Sequence, residues 1–262
     1  MVILEDEGLM FIHVPKCGGT SISQCFNEVA NWRDRFVGGS DFGELANKTW
    51  SIRFKLRKHS SPKEICDAIG IEWYREYKKF VVTRNPVDRF ISSYEFMVRH
   101  IELGTDWMIP GAKKFGLHRF KNLEDFLFSD FVFDLIKNKE EWNSASFENL
   151  EQARVLDAIK LYLPQATFYD DAEASNGRFE YFHLENSSSF GDFMRALGLQ
   201  RNISLGVFNV NEQRSLDVGG LSYRALEKIH EFYEQDFRLF GYPMLDEIGL
   251  CNDQFQIEPC KR

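Results

Sequence analysis

The chain has 262 residues, 44% of them hydrophobic, with 25 Phe, a formal net charge of −8 and a sequence pI of about 5.4. That length suits one large domain with an ample core, so residues 1–262 are read as a single domain. The acidic balance argues against a general binder of nucleic acid or anionic membrane. The five cysteines (Cys17, Cys25, Cys66, Cys251 and Cys260) contain no Cys-x-x-Cys pair, so neither a disulfide framework nor a zinc site is expected. Met1 is not followed by a basic and apolar leader, and no window reaches the ~18 apolar residues of a membrane span. These features predict a cytoplasmic protein, or a Golgi-lumenal one if an anchor has been removed.

In chain order, Leu9–Val14 reads as a buried strand broken only by His13. A turn with Pro15, Gly18 and Gly19 follows, and from Thr20 and Ser21 a helix carries Ile22, Cys25, Phe26 and Val29 on one face. Residues 32–48 look loop-rich. Residues 50–59 alternate, with Arg53, Lys55 and Arg57 on one side, and read as an extended piece delivering Lys58 and His59. Ser61-Pro62 with Glu64 has capping-box spacing and starts a helix that Gly70 ends. Lys79–Thr83 is a second buried strand, Arg84-Asn85-Pro86 a turn, and a helix follows with Phe90, Ile91, Tyr94 and Met97 inward.

Residues 104–142 read as a helical and loop insertion on the acceptor side, beginning with a Gly- and Pro-containing basic break. Asn122 or Asn138 is the expected cap of its short aromatic helices. Residues 147–163 look helical, 167–169 and 181–184 look like short strands, and Ser189–Leu197 is a helix closed by Gly198. The last long helix is expected over 222–237. Strand–loop–helix units of this kind predict an α/β fold with a P-loop-like central parallel sheet flanked by helices.

The turn after the first strand has the makings of an anion cradle. A helix N-terminus offers unpaired amides and a partial positive charge, Lys16 adds a full one, and Thr20 and Ser21 add hydroxyls. The order is not that of a Walker A loop, where Lys follows the glycines. The second strand ends in Thr83-Arg84 rather than in a metal-holding Asp, so no metal is expected. Arg84 at that strand end and Ser92, eight residues on within the helix, can hold a second phosphate.

Pro15-Lys16-Cys17-Gly18-Gly19-Thr20-Ser21 resembles the 5′-phosphosulfate loop of sulfotransferases that use 3′-phosphoadenosine 5′-phosphosulfate (PAPS). The run from Phe80 to Tyr94 resembles their 3′-phosphate motif, with Arg84 and Ser92 as its grip; Asp88 and Arg89 fit it too and read as a local ion pair. Weaker similarity at Pro164-Gln165, Glu185-Asn186, Asn209, Asn211 and 233–242 looks like the heparan-sulfate-2-O-type branch and its bacterial relatives. The resemblance implies PAPS as donor, adenosine 3′,5′-bisphosphate (PAP) as product, and Lys16 through Ser21, Arg84 and Ser92 as binding residues. It also places Arg214 and Ser215 where the family closes a loop over the cofactor.

The expected reaction is in-line sulfuryl transfer to an acceptor hydroxyl, and the resemblance implies that the acceptor is a carbohydrate (carbohydrate sulfation). Lys16 would neutralise charge on the leaving phosphate. His59, between the two phosphate motifs, is the expected general base, where the resembling branch also places its catalytic histidine. His13 reads as a satisfied structural histidine, His183 and His230 as structural, and His100 or His118 as acceptor contacts. Glu28 or Glu95 is the fallback base. Arg53, Lys55, Arg57, Lys113, Lys114 and Arg119 line an acceptor cleft or form a solvated surface, and Trp107, Phe115 and Trp142 stack on sugar or pack in the core. The competing functions are a P-loop kinase or NTPase, and a non-catalytic PAP- or glycan-binding protein.

Overall fold

The computed structural model describes residues 1–104, 120, 122–129, 131–137, 156–169, 179–203, 205 and 218–244. The chain forms two compact units, one of residues 1–84 and 164–211, the other of 85–163 and 212–262.

The first unit is built on a five-stranded sheet. Its strands are β1 (Val2–Leu4), β2 (Leu9–Ile12), β3 (Arg35–Phe36), β4 (Lys78–Thr83) and β5 (Phe179–His183), in the order β3-β1-β2-β4-β5. The strands β2, β4 and β5 run parallel, with Phe11 opposite Phe80 and Val81 opposite Tyr181, while β1 is antiparallel to both β2 and β3. The expected α/β fold with a parallel centre is therefore present, and an antiparallel edge is added to it. All three parallel strands end at one edge of the sheet, the edge where ligands bind in open α/β sheets.

The apolar core lies on the β2 and β4 faces. Phe11, Phe26, Phe80, Phe182 and Phe190 are buried together with Ile22, Met194 and Leu197. The rings of Phe11 and Phe80 stack at 5.1 Å. Ile22 and Phe26 reach this core because α1 (Gly19–Glu28) turns them, at helical spacing, onto one face. At the opposite margin Arg201 ties three segments together. It pairs with Asp34 and, at 2.8 Å, with Glu7, and donates to the Val29 carbonyl just past α1.

Residues 41–54 depart from expectation. In place of loop and extended chain stands α2 (Asp41–Phe54). Ser40 caps it by accepting the Gly43 N–H at 3.1 Å, Asp41 and Glu44 favour its first turn and Arg53 its last, and Lys55 ends it in the left-handed region at φ 59. These signals outweigh an alternation of charges only five residues long. The next helix, α3 (Pro62–Ile69), has the expected capping box from Ser61 and Glu64, and ends at Gly70. It is followed by α4 (Ile71–Glu76). Residues 165–168 form a 3₁₀ turn after Pro164, not the strand expected at 167–169. Beyond β5, a 3₁₀ turn over Leu184–Ser189 leads into α8 (Phe190–Leu197), which Gly198 closes as expected.

In the second unit α5 (Pro86–Glu102) buries Phe90, Ile91, Tyr94 and Met97 as expected, with Asn85 as its cap. It continues through α6 (Leu123–Phe128), capped by Asn122, and α7 (Phe131–Lys137). Residues 156–160 are helical, while 105–119, 138–155 and 206–217 lie outside the described residues, and with them much of the expected 104–142 insertion. The single helix expected over 222–237 is two, α9 (Tyr223–Phe232) and α10 (Glu234–Phe240). Tyr233, at φ −102, breaks the run and donates its hydroxyl to the Tyr162 carbonyl at 2.7 Å.

Arg89 is the largest fully buried side chain among the described residues of this unit. Its Nη2 donates to the carbonyls of Leu163 at 2.7 Å and Leu161 at 3.1 Å, and its guanidinium lies 6.0 Å from the Tyr233 ring. Ser93 adds a bond from Oγ to Leu161 at 2.9 Å. Arg89 thus donates to the carbonyls that precede Pro164, a role the sequence did not suggest. No helix among the described residues is long and apolar enough to cross a membrane.

Candidate active site

The loop after β2 turns through two left-handed residues, Lys16 at φ 65 and Gly18 at φ 72. A lysine in that region is uncommon and costs about 1 kcal/mol or more, so the surrounding loop must hold it. Gly18 occupies the N-cap of α1 with no side-chain cap, and the first turn carries no acidic residue. The amides of Gly19, Thr20 and Ser21 have no carbonyl four residues back within the helix to bond. A donor set of this kind, with Thr20 half-exposed beside it, fits an anionic group.

Glycine is required at 18 and 19 for different reasons. Gly18 has a positive φ, and a Cβ there would also stand 2.7 Å from Leu184. At Gly19 a Cβ would fall 2.1 Å from Cδ2 and Nε2 of His13, a direct clash with the edge of the imidazole ring. The His13 ring thus lies directly under the loop.

His13 is 2% exposed, and its Nδ1 has no hydrogen-bond partner among the described residues. It is buried, as expected, but not satisfied. Burial holds its pKa well below the ordinary 6.5, and His59, Lys58 and Lys16 push it in the same direction. His13 is therefore neutral in the folded protein. The unfolded chain takes up a proton at this position below about pH 6.5 and the folded one does not, so stability falls as pH drops from 6.5. The largest slope one such group gives is about 1.4 kcal/mol per pH unit. Urea midpoints of wild type and His13→Gln between pH 7.5 and 5.5 check this: the variant should show the shallower fall, and parallel curves would contradict it.

His59 sits in a tight turn in which the Ser60 hydroxyl accepts the Arg57 N–H at 2.9 Å and the Ser60 N–H bonds the Arg57 carbonyl. Its Nδ1 lies 2.9 Å from the carbonyl oxygen of His13, and the two rings meet edge to face at 4.6 Å. A carbonyl can only accept, so Nδ1 carries the hydrogen and the lone pair is on Nε2. The same turn presents Lys58, whose Nζ donates to Thr20 Oγ1 at 3.3 Å and lies 3.5 Å from Glu44. Glu44 also accepts the Gly39 N–H at 2.8 Å, which holds α2 to this corner.

On the neighbouring strand end, Arg84 donates from Nη1 to the Lys16 carbonyl at 3.5 Å, the long limit for such a bond. Its backbone is held on both sides by Gln165, which accepts the Arg84 N–H at 2.9 Å and donates to the Arg84 carbonyl at 2.8 Å. The same Gln165 oxygen accepts the Cys17 thiol at 3.1 Å.

Lys16 to Ser21, His59 and Arg84 thus belong to one unit and share one sheet edge. Ser92 lies half-buried on α5 in the other unit, and Arg214 and Ser215 lie outside the described residues. Of the other histidines, His230 is buried, with Nδ1 2.8 Å from the Leu226 carbonyl and its ring stacked on Phe237. His183 stacks on Tyr181, His100 meets Phe96 edge to face, and His118 is not among the described residues. Glu28 is exposed at the end of α1, and Glu95 is half-buried on α5. Arg53 and Lys55 are exposed and Arg57 half-buried, whereas Lys113, Lys114, Arg119, Trp107, Phe115 and Trp142 fall outside the described residues.

Sequence reasoning assigned no role to Lys58 or Gln165. The signal for Lys58 was its place beside His59. Gln165 is separated from its partners by 148 and 81 residues, and its buried amide contacts become visible only in the fold.

No curated protein and no solved structure matches the chain. A family model described as the sulfotransferase family matches residues 1–243, nearly the whole length, and the chain belongs to that family.

Proposed function

We propose that the protein transfers a sulfuryl group from PAPS to an acceptor hydroxyl, with His59 as general base. The observation that carries this reading is the histidine pair at the phosphate loop. His59 is held through Nδ1 by the strand residue whose ring underlies Gly19, so its basic nitrogen is fixed relative to the loop. The residues present suit the donor. The first-turn amides of α1, Lys16, Lys58 and Thr20 offer donors for the 5′-phosphosulfate, and Arg84 with Ser92 for the 3′-phosphate.

PAPS supplies an electrophilic sulfur whose bond to the 5′-phosphate breaks as the acceptor oxygen bonds to it. Lys16 and the loop amides stabilise negative charge at the phosphate side, which is where it grows. His59 Nε2 removes the acceptor proton, and the bond from Nδ1 to the His13 carbonyl keeps the ring in the tautomer that can do so. Lys58, beside Thr20, adds a second positive charge at the same end of the loop.

The acceptor we infer is a carbohydrate or similar hydroxyl compound. The exposed cations Arg53 and Lys55 suit an anionic one, and Arg214 and Ser215 are assigned to the cofactor side. The reading includes no metal and a cytoplasmic location.

Titration calorimetry in metal-free buffer tests the cofactor. PAP should bind without added Mg²⁺ and more tightly than ATP, and Lys16→Ala should weaken it by about tenfold or more, the scale of a lost charge-assisted bond. Tighter binding of Mg²⁺-ATP than of PAP would instead make the protein a phosphotransferase.

A further inference from the structure

The side chain of Gln165 is fully buried, and its oxygen and nitrogen are both engaged at one point of the site. Its amide pairs with the N–H and the carbonyl of Arg84 at 2.9 and 2.8 Å, much as a neighbouring strand would. This pairing extends the ordered backbone of β4 one residue past Thr83, to the arginine assigned to the 3′-phosphate. The third contact, from the Cys17 thiol at 3.1 Å, reaches the middle of the loop assigned to the 5′-phosphosulfate. Cys17 is 1% exposed, so its side chain points away from any ligand and into this junction. One side chain therefore joins the two segments that carry Lys16 and Arg84.

The geometry points to Gln165 as a positioning residue that fixes the spacing of the two phosphate grips, so that they act as one bidentate site for adenosine 3′,5′-bisphosphate. This rests on the PAPS reading above. Two grips on one ligand gain from each other only when their separation matches the ligand, and the gain vanishes when the spacing is free to vary. Gln165 supplies that match without touching the ligand. A buried amide with these partners is also difficult to replace, since a side chain that lacks them leaves the Arg84 N–H and carbonyl unpaired.

The test compares three ligands on the full chain: adenosine 3′,5′-bisphosphate, adenosine 5′-monophosphate and adenosine 3′-monophosphate. In Gln165→Met, which keeps the length and loses every hydrogen bond, affinity for the bisphosphate should fall by about tenfold to a hundredfold, while each monophosphate changes by less than about threefold. Gln165→Glu keeps the accepting oxygen and loses the donor to the Arg84 carbonyl, and should show the same selective loss. It provides the measurement if the methionine variant does not fold, with thermal melting as the check on both. An equal fall for all three ligands would mean a general structural role and overturn the proposal, as would no change for any of them. If the wild type binds the bisphosphate no more tightly than the monophosphates, the cofactor reading itself fails and the proposal falls with it.

Discussion

Replacing His59 by alanine lowers turnover by about two orders of magnitude or more, while PAP still binds; that is the usual scale for loss of a general base. The separation of the two effects follows from the contacts. His59 bonds the backbone oxygen of His13 and packs edge-on against its ring, so its removal leaves His13 under Gly19. The loop that carries Lys16, Gly18 and Thr20 keeps its support. A turnover assay with the acceptor in excess, run beside PAP calorimetry, separates catalysis from binding. Full activity in His59→Ala would remove His59 from the mechanism, and lost PAP binding would make it a structural part of the loop.

Arg89→Met destabilises the fold by about 2–4 kcal/mol, the range for two lost bonds to a charged donor inside a protein. The reason lies in the carbonyls it leaves behind: that of Leu163 loses the Arg89 donor, and that of Leu161 keeps the Ser93 hydroxyl at 2.9 Å. Leu161 and Leu163 are 6% and 8% exposed, and the Arg89 guanidinium donates to both oxygens. Methionine fills most of the volume but donates to neither. Urea unfolding reads the loss as a lower midpoint at an unchanged slope. A midpoint shift worth less than about 1 kcal/mol would show that water or a neighbouring group takes over the carbonyls.

Much of the sheet edge is legible in the sequence because its signals are local. An apolar run that meets Pro15 and then Gly18-Gly19 can only be a buried strand turning into a helix, and Phe80–Thr83 followed by Arg84-Asn85-Pro86 repeats the pattern. The capping box at Ser61 and Glu64 is equally local and is present as expected. What escapes is set by longer range or by competition. The alternation of Arg53, Lys55 and Arg57 suggests a strand, but the capping by Ser40 and the favourable end charges settle that segment as a helix. The short strands β1 and β3 exist through pairing with each other and, for β1, with β2, so three and two residues of sequence carry no pattern of their own. Tyr233 lies within the single helix expected over 222–237, yet the helix breaks there. Gln165 and Arg89 are polar residues whose partners are distant carbonyls, amides or thiols, and backbone partners leave no mark in a sequence.

The contact between Gly19 and His13 has a consequence for how this site tolerates change. Position 19 is closed to a side chain because a ring from the strand beneath already fills the space, whatever ligand lies above the loop. Positions 13 and 19 therefore share a single volume, although five residues and a turn lie between them. A methyl group added at 19 has to be matched by a shift or loss of the ring at 13, the same ring that the His59 ring meets edge to face. The loop at 18–19 and the His59 ring therefore cannot be altered separately: steric freedom gained at one is support lost at the other.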